Sequence, residues 1–332
     1  MSLPDILLRH AFPSDKGAII WFLNQHWGSR HPLVNLPDLF EYYYVNGDKL
    51  QFVLAFEDGR MVAVAGYILA NRSDTPDAWV SIWCAAGGAN GVGLQLMEAL
   101  PRLANIRVLA CNNIRPKTMA FYRFLGWHAD RISHYYRLAD QSRFSLVQNS
   151  GCQERLPAGG DLALFPVYST VALEGLGVPP TDLFPQKDLW YLRRRYFAFP
   201  RQRYQVWAAS EAGRVAAYLV TRTAEVESAG AKVLRIVDFV GNAQLLPRLG
   251  GAIDRIMQAE GVEYADCYCA GISADLFRQA GFCERRPEDA IVMPNYLDPP
   301  LYENTEYYYF TNHPDNFVLF KADGDQDRPN LG

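Results

Sequence analysis

The chain has 332 residues, 49% of them hydrophobic and 20% charged, with a net charge of −4. That is the composition of a globular protein with enough apolar material for two cores. The weakly acidic balance disfavours a nucleic-acid partner, and no stretch approaches the ~18 consecutive apolar residues of a membrane span. The opening residues, Met1-Ser2-Leu3-Pro4-Asp5, lack the basic and apolar regions of a secretion signal. Six scattered cysteines read as buried free thiols of a reducing compartment, so a cytoplasmic protein is expected. The densest basic stretch, Arg193-Arg194-Arg195 with Arg201 and Arg203, reads as a solvated helix face.

Along the chain, Gln25-His26-Trp27-Gly28-Ser29-Arg30-His31-Pro32-Leu33 first crowds polar and aromatic groups into a short loop. Histidine titrates near neutral pH, so His26 and His31, with Glu41 beyond them, are candidates for a base; loop histidines with a structural role are the alternative. Val53 to Ala63 reads as strand, tight turn, strand. Trp79 to Cys84 reads as a strand, and Gly88-Ala89-Asn90-Gly91-Val92-Gly93 as a glycine-rich loop opening a helix from Val92 to Leu103. Pro101 is expected to end or kink that helix. A strand at Arg107 to Cys111 and the segment Phe121-Tyr122-Arg123-Phe124-Leu125-Gly126-Trp127 follow.

The same order then recurs. Val206 to Ala217 is a second hairpin, in which Glu211, Gly213 and Arg214 lie 154 residues after Glu57, Gly59 and Arg60. Val233 to Val240, Leu245 to Met257 and Tyr264 to Cys269 read as strand, helix and strand, the helix stopping at Gly261. Leu276-Phe277-Arg278-Gln279-Ala280-Gly281-Phe282 matches the earlier Phe121 to Trp127 segment at an offset of 155. Two collinear anchors at nearly one offset imply an internal repeat. Between the copies, 141–160 is expected to be a linker, and Gly175 to Lys187 a loop. After the repeat, Ile291 to Asn295, Tyr307 to Thr311 and Asn316 to Phe320 read as strands. The tail with Asp323, Asp325 and Asp327 reads as a solvated acidic segment, with attraction of a cationic amine acceptor as the alternative. It lacks the later glycine and glutamate of an EF-hand, so no metal site is expected.

The Phe121 to Trp127 segment, preceded by hairpin, strand, glycine-rich loop, helix and strand, resembles the GNAT acyl-CoA N-acyltransferases over Ile6 to Leu138. A weaker copy covers Asp161 to Arg285. The resemblance implies an α/β fold with an α+β mixed sheet, as two tandem domains: 1–140 binding CoA, and 161–332 degenerate with a C-terminal extension. It implies acetyl-CoA or another acyl-CoA as co-substrate, its diphosphate held by Gly88, Ala89, Asn90, Gly91, Val92, Gly93 and Leu94. Glycine lets backbone amides at a helix N-terminus approach a phosphate. Gly88 stands where the family has glutamine or arginine. The resemblance also assigns Tyr122 as the acid that protonates the departing thiolate, with core packing as its alternative role. In the second copy Phe277 replaces the tyrosine, and Asn242 to Arg248 lacks the glycine pair.

The implied activity is transfer of an acyl group to an amine of a small molecule. The segment from Trp27 to Leu33 resembles tandem members of surface-polysaccharide pathways, which points to an amino sugar. The rival reading is a non-catalytic acyl-CoA-binding or protein-interaction module. Asp238, on the second copy's central strand, is a further acid that faces the cleft in this reading, and self-association is left open.

Overall fold

The computed structural model of the protein describes residues 5–28, 31–88, 91–149 and 155–329. The first half contains β1 (Ile6–His10), α1 (Lys16–His26), α2 (Pro32–Asn35), α3 (Pro37–Tyr44) and the short pair β2 (Val45–Asn46) and β3 (Lys49–Leu50). It continues with β4 (Phe52–Glu57), β5 (Arg60–Leu69), β6 (Ala78–Ala85), α4 (Val92–Leu103), β7 (Leu109–Asn112), α5 (Met119–Phe124) and β8 (His128–Leu138). The second half contains β9 (Leu164–Val167), α6 (Thr170–Leu176), α7 (Leu189–Tyr196), β10 (Gln205–Glu211), β11 (Arg214–Val226) and β12 (Ala231–Gly241). Then come α8 (Gly250–Glu260), β13 (Tyr264–Ala270), α9 (Ala274–Gln279), β14 (Cys283–Arg285), β15 (Tyr307–Thr311) and β16 (Leu319–Phe320).

All strands except the β2–β3 pair belong to one mixed sheet, with path β1-β4-β5-β6-β7-β15-β8-β13-β12-β11-β10-β9. Read inward from either edge, the same sequence of elements appears. Both hairpins turn on two residues with positive φ, Asp58-Gly59 and Ala212-Gly213, the geometry that suits the right-handed twist of paired strands. The register slips between Ala55 and Phe56 in one hairpin and between Ala209 and Ser210 in the other. Further slips follow between Gly66 and Tyr67 and between Val220 and Thr221. Each pair of slips is separated by the repeat offset of the sequence. Among the described strands, β6 with β7 and β12 with β13 pair in parallel.

The two halves do not close separately. Along β8, residues 128–132 pair with β15, and residues 133–138 pair with β13. The C-terminal strand β15 thus lies inside the first half's part of the sheet, between β7 and β8. One apolar cluster packs α4 and α5 on the first half, and another packs α8 and α9 on the second. A third draws on both, joining Phe22, Leu39 and Tyr43 to Tyr191, Tyr218 and Phe317.

Several local expectations change. Pro247 leaves Ala243–Leu249 as a 3-10 turn, so α8 begins only at Gly250. Ile291 to Asn295 is no strand, but Val292 bridges Gln148. Only Leu319 and Phe320 of the last expected strand pair in the sheet, while Phe317 bridges Phe184. Arg195 is not on a solvated face; it is 2% exposed. Its guanidinium donates to the carbonyls of Ala322 and Asp327, each at 3.0 Å. The acidic tail is also buried, with Asp323, Asp325 and Asp327 at most 4% exposed.

Carboxylates tolerate such burial only when paired. Lys187 supplies one pairing, its Nζ lying 2.5 Å from Asp238 and 2.7 Å from Asp323. Burial pushes the Asp323 carboxyl up, and Lys187 opposes that shift. Arg222 supplies another, 3.0 Å from Asp327, which also accepts from Gln202 at 2.7 Å. Replacing Lys187 by methionine leaves Asp238 and Asp323 facing each other without a cation. Lys187→Met is expected to lower stability by about 3–5 kcal/mol in urea denaturation, and adding Asp238→Asn to recover part of the loss. A cost below about 1 kcal/mol would show that Lys187 does not hold these charges.

Candidate functional site

Strands β6 and β7 are joined only at Ala78 with Leu109 and Trp79 with Ala110. Beyond Trp79 they part, and among the described residues no strand pairs with the β7-facing edge of β6 from Val80 to Ala85. The chain leaves the open end of this wedge at Ala85 and enters α4 at Val92. The α4 N-terminus therefore stands at the mouth of the wedge. Gly91 is the N-cap, with φ of 81° and no side-chain oxygen to accept from the first-turn amides. A Cβ on Gly93 would lie 3.0 Å from the Ala85 Cβ, so that glycine is what lets α4 sit against β6. The Trp83 indole donates to the Gly93 carbonyl at 3.1 Å and fixes the same contact. Val92 and Gly93 are buried, Leu94 is half-buried, and Gly88 and Gly91 are exposed. Ala89 and Asn90 lie outside the described residues. The Leu94 amide donates to the Gly91 carbonyl at 3.0 Å, whereas the Val92 and Gly93 amides, with no capping side chain at the open end of two splayed strands, suit an anionic group at the helix and an extended chain between the strands.

Tyr122, on α5, is 4% exposed. Its ring stacks on Phe310 of β15 with centroids 4.1 Å apart, and Trp127 and Trp83 lie at 6.3 and 6.0 Å. Phe310 pairs in register with Cys111 of β7, so this cluster flanks the wedge. Burial pushes the Tyr122 phenol and the Cys111 thiol up. Both therefore keep their protons at neutral pH.

The corresponding wedge of the second half is filled by the chain itself. β12 and β13 pair from Val233–Tyr264 to Ile236–Cys267. Beyond that point β16 pairs with Cys269 and Ala270, and the Ala322 amide donates to the Val237 carbonyl at 3.0 Å. Phe277, at the position matching Tyr122, stacks on Tyr135 at 3.8 Å.

A cavity of about 320 Å³ opens between the halves, with His31, Asn113, Arg222, Arg235, Tyr307 and Lys321 among its lining. Asn113 directly follows β7, so the cavity adjoins the first wedge. His31 caps α2, its Nδ1 accepting from the Leu33 amide at 3.2 Å, and its ring lies 4.3 Å from that of Trp27. Burial lowers its pKa, so the ring is neutral near pH 7. With Nδ1 accepting, the neutral ring carries its proton on Nε2, which makes it a donor rather than a base. Glu41 does not line the cavity. It is exposed on α3 and paired with Lys16. Asp238 does not face the cavity either, because Lys187 and the Tyr196 hydroxyl occupy it. His26 lies at the exposed end of α1 against Phe22. Arg222, Arg235 and Lys321 escaped sequence reasoning. The one available signal was a cation at position 235 in the apolar run from Val233 to Val237.

Among solved structures, the chain is similar to a GCN5-related N-acetyltransferase from Anabaena variabilis, with 13% identity, a TM-score of 0.54, and coverage of 92% of this chain and 72% of that one. It is also similar to a probable N-acyltransferase of Enterococcus faecalis, with 11% identity, a TM-score of 0.51, and coverage of 92% and 72%. At these identities the likeness shows a shared fold. No family description and no curated protein sequence matches the chain. No described helix is long and apolar enough to cross a membrane.

The glycines at 91 and 93 fail differently when replaced. A Cβ at Gly91 meets nothing within 4 Å, so Gly91→Val acts through its positive φ and costs about 1–3 kcal/mol, whereas Gly91→Asn, which tolerates that φ, costs less. Gly93→Val pushes α4 off Ala85. Thermal unfolding of the three variants checks the order, and equal losses for Gly91→Val and Gly91→Asn would exclude the backbone explanation.

Proposed function

We propose that the protein is an acyl-CoA-dependent N-acyltransferase, built from two copies of one unit, that uses only the first copy's wedge. The observation that carries this reading is the contrast between the two parallel strand pairs. One is splayed, with an uncapped helix N-terminus at its mouth, and the other is filled by β16. Val92, Gly93 and Leu94 would hold the diphosphate of acetyl-CoA or another acyl-CoA. The free edge of β6 would hydrogen-bond the cofactor's amide-bearing arm, which places the thioester near Tyr122. When bound, the cofactor supplies an activated acyl carbon.

The acceptor amine approaches from the cavity between the halves. Its nitrogen forms a bond to the acyl carbon, the carbon–sulfur bond breaks, and the electron pair leaves with sulfur. Tyr122 gives its phenolic proton to that sulfur. Burial raises the phenol, and the same dry surroundings raise a thiol, as they do at Cys111, so the transfer stays balanced. The proton released from nitrogen passes to cavity water, because the one carboxylate lining the cavity, Asp327, is held by Arg222. His31 Nε2–H is left to orient the acceptor. The cavity suits an amine of monosaccharide size, such as an amino sugar. The buried free thiols fit a cytoplasmic enzyme.

Tyr122→Phe removes the proton and keeps the stack on Phe310. With an acceptor in hand, turnover is expected to fall by roughly 10²–10⁴-fold while acyl-CoA affinity and melting temperature barely change. Unchanged turnover would leave Tyr122 as a packing residue. Absence of acyl-CoA binding in calorimetry would remove the whole reading.

A further inference from the structure

The cavity between the halves is lined by four cations, Arg222, Arg235, Lys321 and Arg328, and by one carboxylate, Asp327. That carboxylate is already engaged by Arg222 through Nε and Nη2, whereas Arg222 Nη1 has no partner among the described residues. Arg328 pairs with Asp325 at 2.6 Å. Lys321 and Arg235 are less well matched. Both donate to one neutral acceptor, the Asn295 side-chain oxygen, Arg235 at 3.0 Å. Among the described residues no carboxylate forms an ion pair with Lys321, whose ammonium rests 4.8 Å from the ring centre of Tyr268 and 5.2 Å from that of Tyr307. Arg235 is 2% exposed, and its nearest carboxylate, Asp266, is 3.7 Å away.

Two cations held at one amide oxygen repel each other strongly where water is scarce. Burial and the neighbouring Arg235 pull the Lys321 ammonium well below the usual lysine range. An oxyanion placed in the cavity would remove that repulsion and fill the unused donors of Lys321 and Arg222 with charge-assisted hydrogen bonds. A cationic or purely apolar occupant would leave the repulsion in place.

We infer that the cavity binds the oxyanion of an amine acceptor, a carboxylate or a phosphate, between Lys321, Arg235 and Arg222 Nη1. The inference names the acceptor class for the site proposed above and rests on that reading for the word acceptor. The position of the cations fits the requirement. The anion sits on the second half's side, and the amine is left to point toward Asn113 and the open wedge.

The test uses the full chain and matched probes: glycine against glycinamide for a carboxylate, and glucosamine 6-phosphate against glucosamine for a phosphate. Binding is measured by calorimetry without acyl-CoA, and acyl transfer is measured separately with acetyl-CoA. The expected result is that at least one probe bearing the oxyanion binds on the order of 10–100-fold more tightly than its partner lacking it, and that Lys321→Met abolishes the preference. Which pair shows the preference tells carboxylate from phosphate. Should Lys321→Met fail to fold, Lys321→Arg, which keeps the charge, is expected to keep the preference, and Arg222→Lys, which loses Nη1, to reduce it. Equal binding of probes with and without the oxyanion, or no binding of any oxyanion-bearing probe at millimolar concentration, overturns the inference. An anion preference without acyl transfer or CoA binding would retain the site and remove the acyltransferase reading. Transfer only to amines without the oxyanion would do the reverse.

Discussion

A chain segment buried between packed layers must pair every backbone donor and acceptor it carries. Residues 307–327 meet that demand with partners from both halves, and much else depends on it. Tyr307 to Thr311 bonds to β7 on one side and β8 on the other. Leu319 and Phe320 pair with β13. Past the last strand, the side chain of Asn112 takes the Phe320 carbonyl at 3.0 Å, and Arg195 takes those of Ala322 and Asp327. The C-terminal segment is therefore a seam that joins the halves alongside the direct pairing of β8 with β13, and its removal would expose unpaired edges on both.

That seam also makes the halves unequal. Where it crosses the second half it fills the space between β12 and β13, and its backbone takes over the hydrogen bonds that a bound ligand would need. Where it crosses the first half, β15 pairs with the edge of β7 that faces away from β6, and no described strand pairs with the facing edge of β6 beyond Trp79. It contributes Phe310 there, the ring on which Tyr122 stacks. The proposed acid is thus positioned by a residue nearly two hundred positions away, and one C-terminal segment both fills one wedge, through β16, and lines the other, through β15.

The polar chemistry of the seam follows from the same burial. Carboxylates carried into the interior by the tail require cations, and Lys187, Arg222 and Arg328 answer them from three separate parts of the chain. The cations around the central cavity are in excess of the carboxylates there, because Asp327 is spoken for and Asp266 is shared at longer distance with Arg235 and His134. Interiors rarely retain such an imbalance without use. This excess is what separates the cavity from an ordinary gap between packed layers.

Local chemistry fixed by neighbouring residues was legible in the sequence. The two-residue turns at Asp58-Gly59 and Ala212-Gly213, the glycine-opened helix at Val92, and the Gly126 and Gly281 turns follow from steric rules that act over a few residues. The 154-residue spacing of the two turns also separates the register slips of the two hairpins. The losses at Phe277 and Pro247 were equally plain, since each removes a donor by its own covalent structure. What the sequence left open depends on long-range placement. Alternating acids at 323–327 look the same whether water or arginines surround them. Glu41 and His31 look equally fit to serve as a base until α3 turns one outward and α2 engages the other at Nδ1. The register of β15 between β7 and β8, the filling of the second wedge and the convergence of Arg222, Arg235 and Lys321 arise from contacts between residues up to two hundred positions apart. No local pattern encodes such contacts, because the free energy that selects them comes from pairing and burial in the assembled sheet.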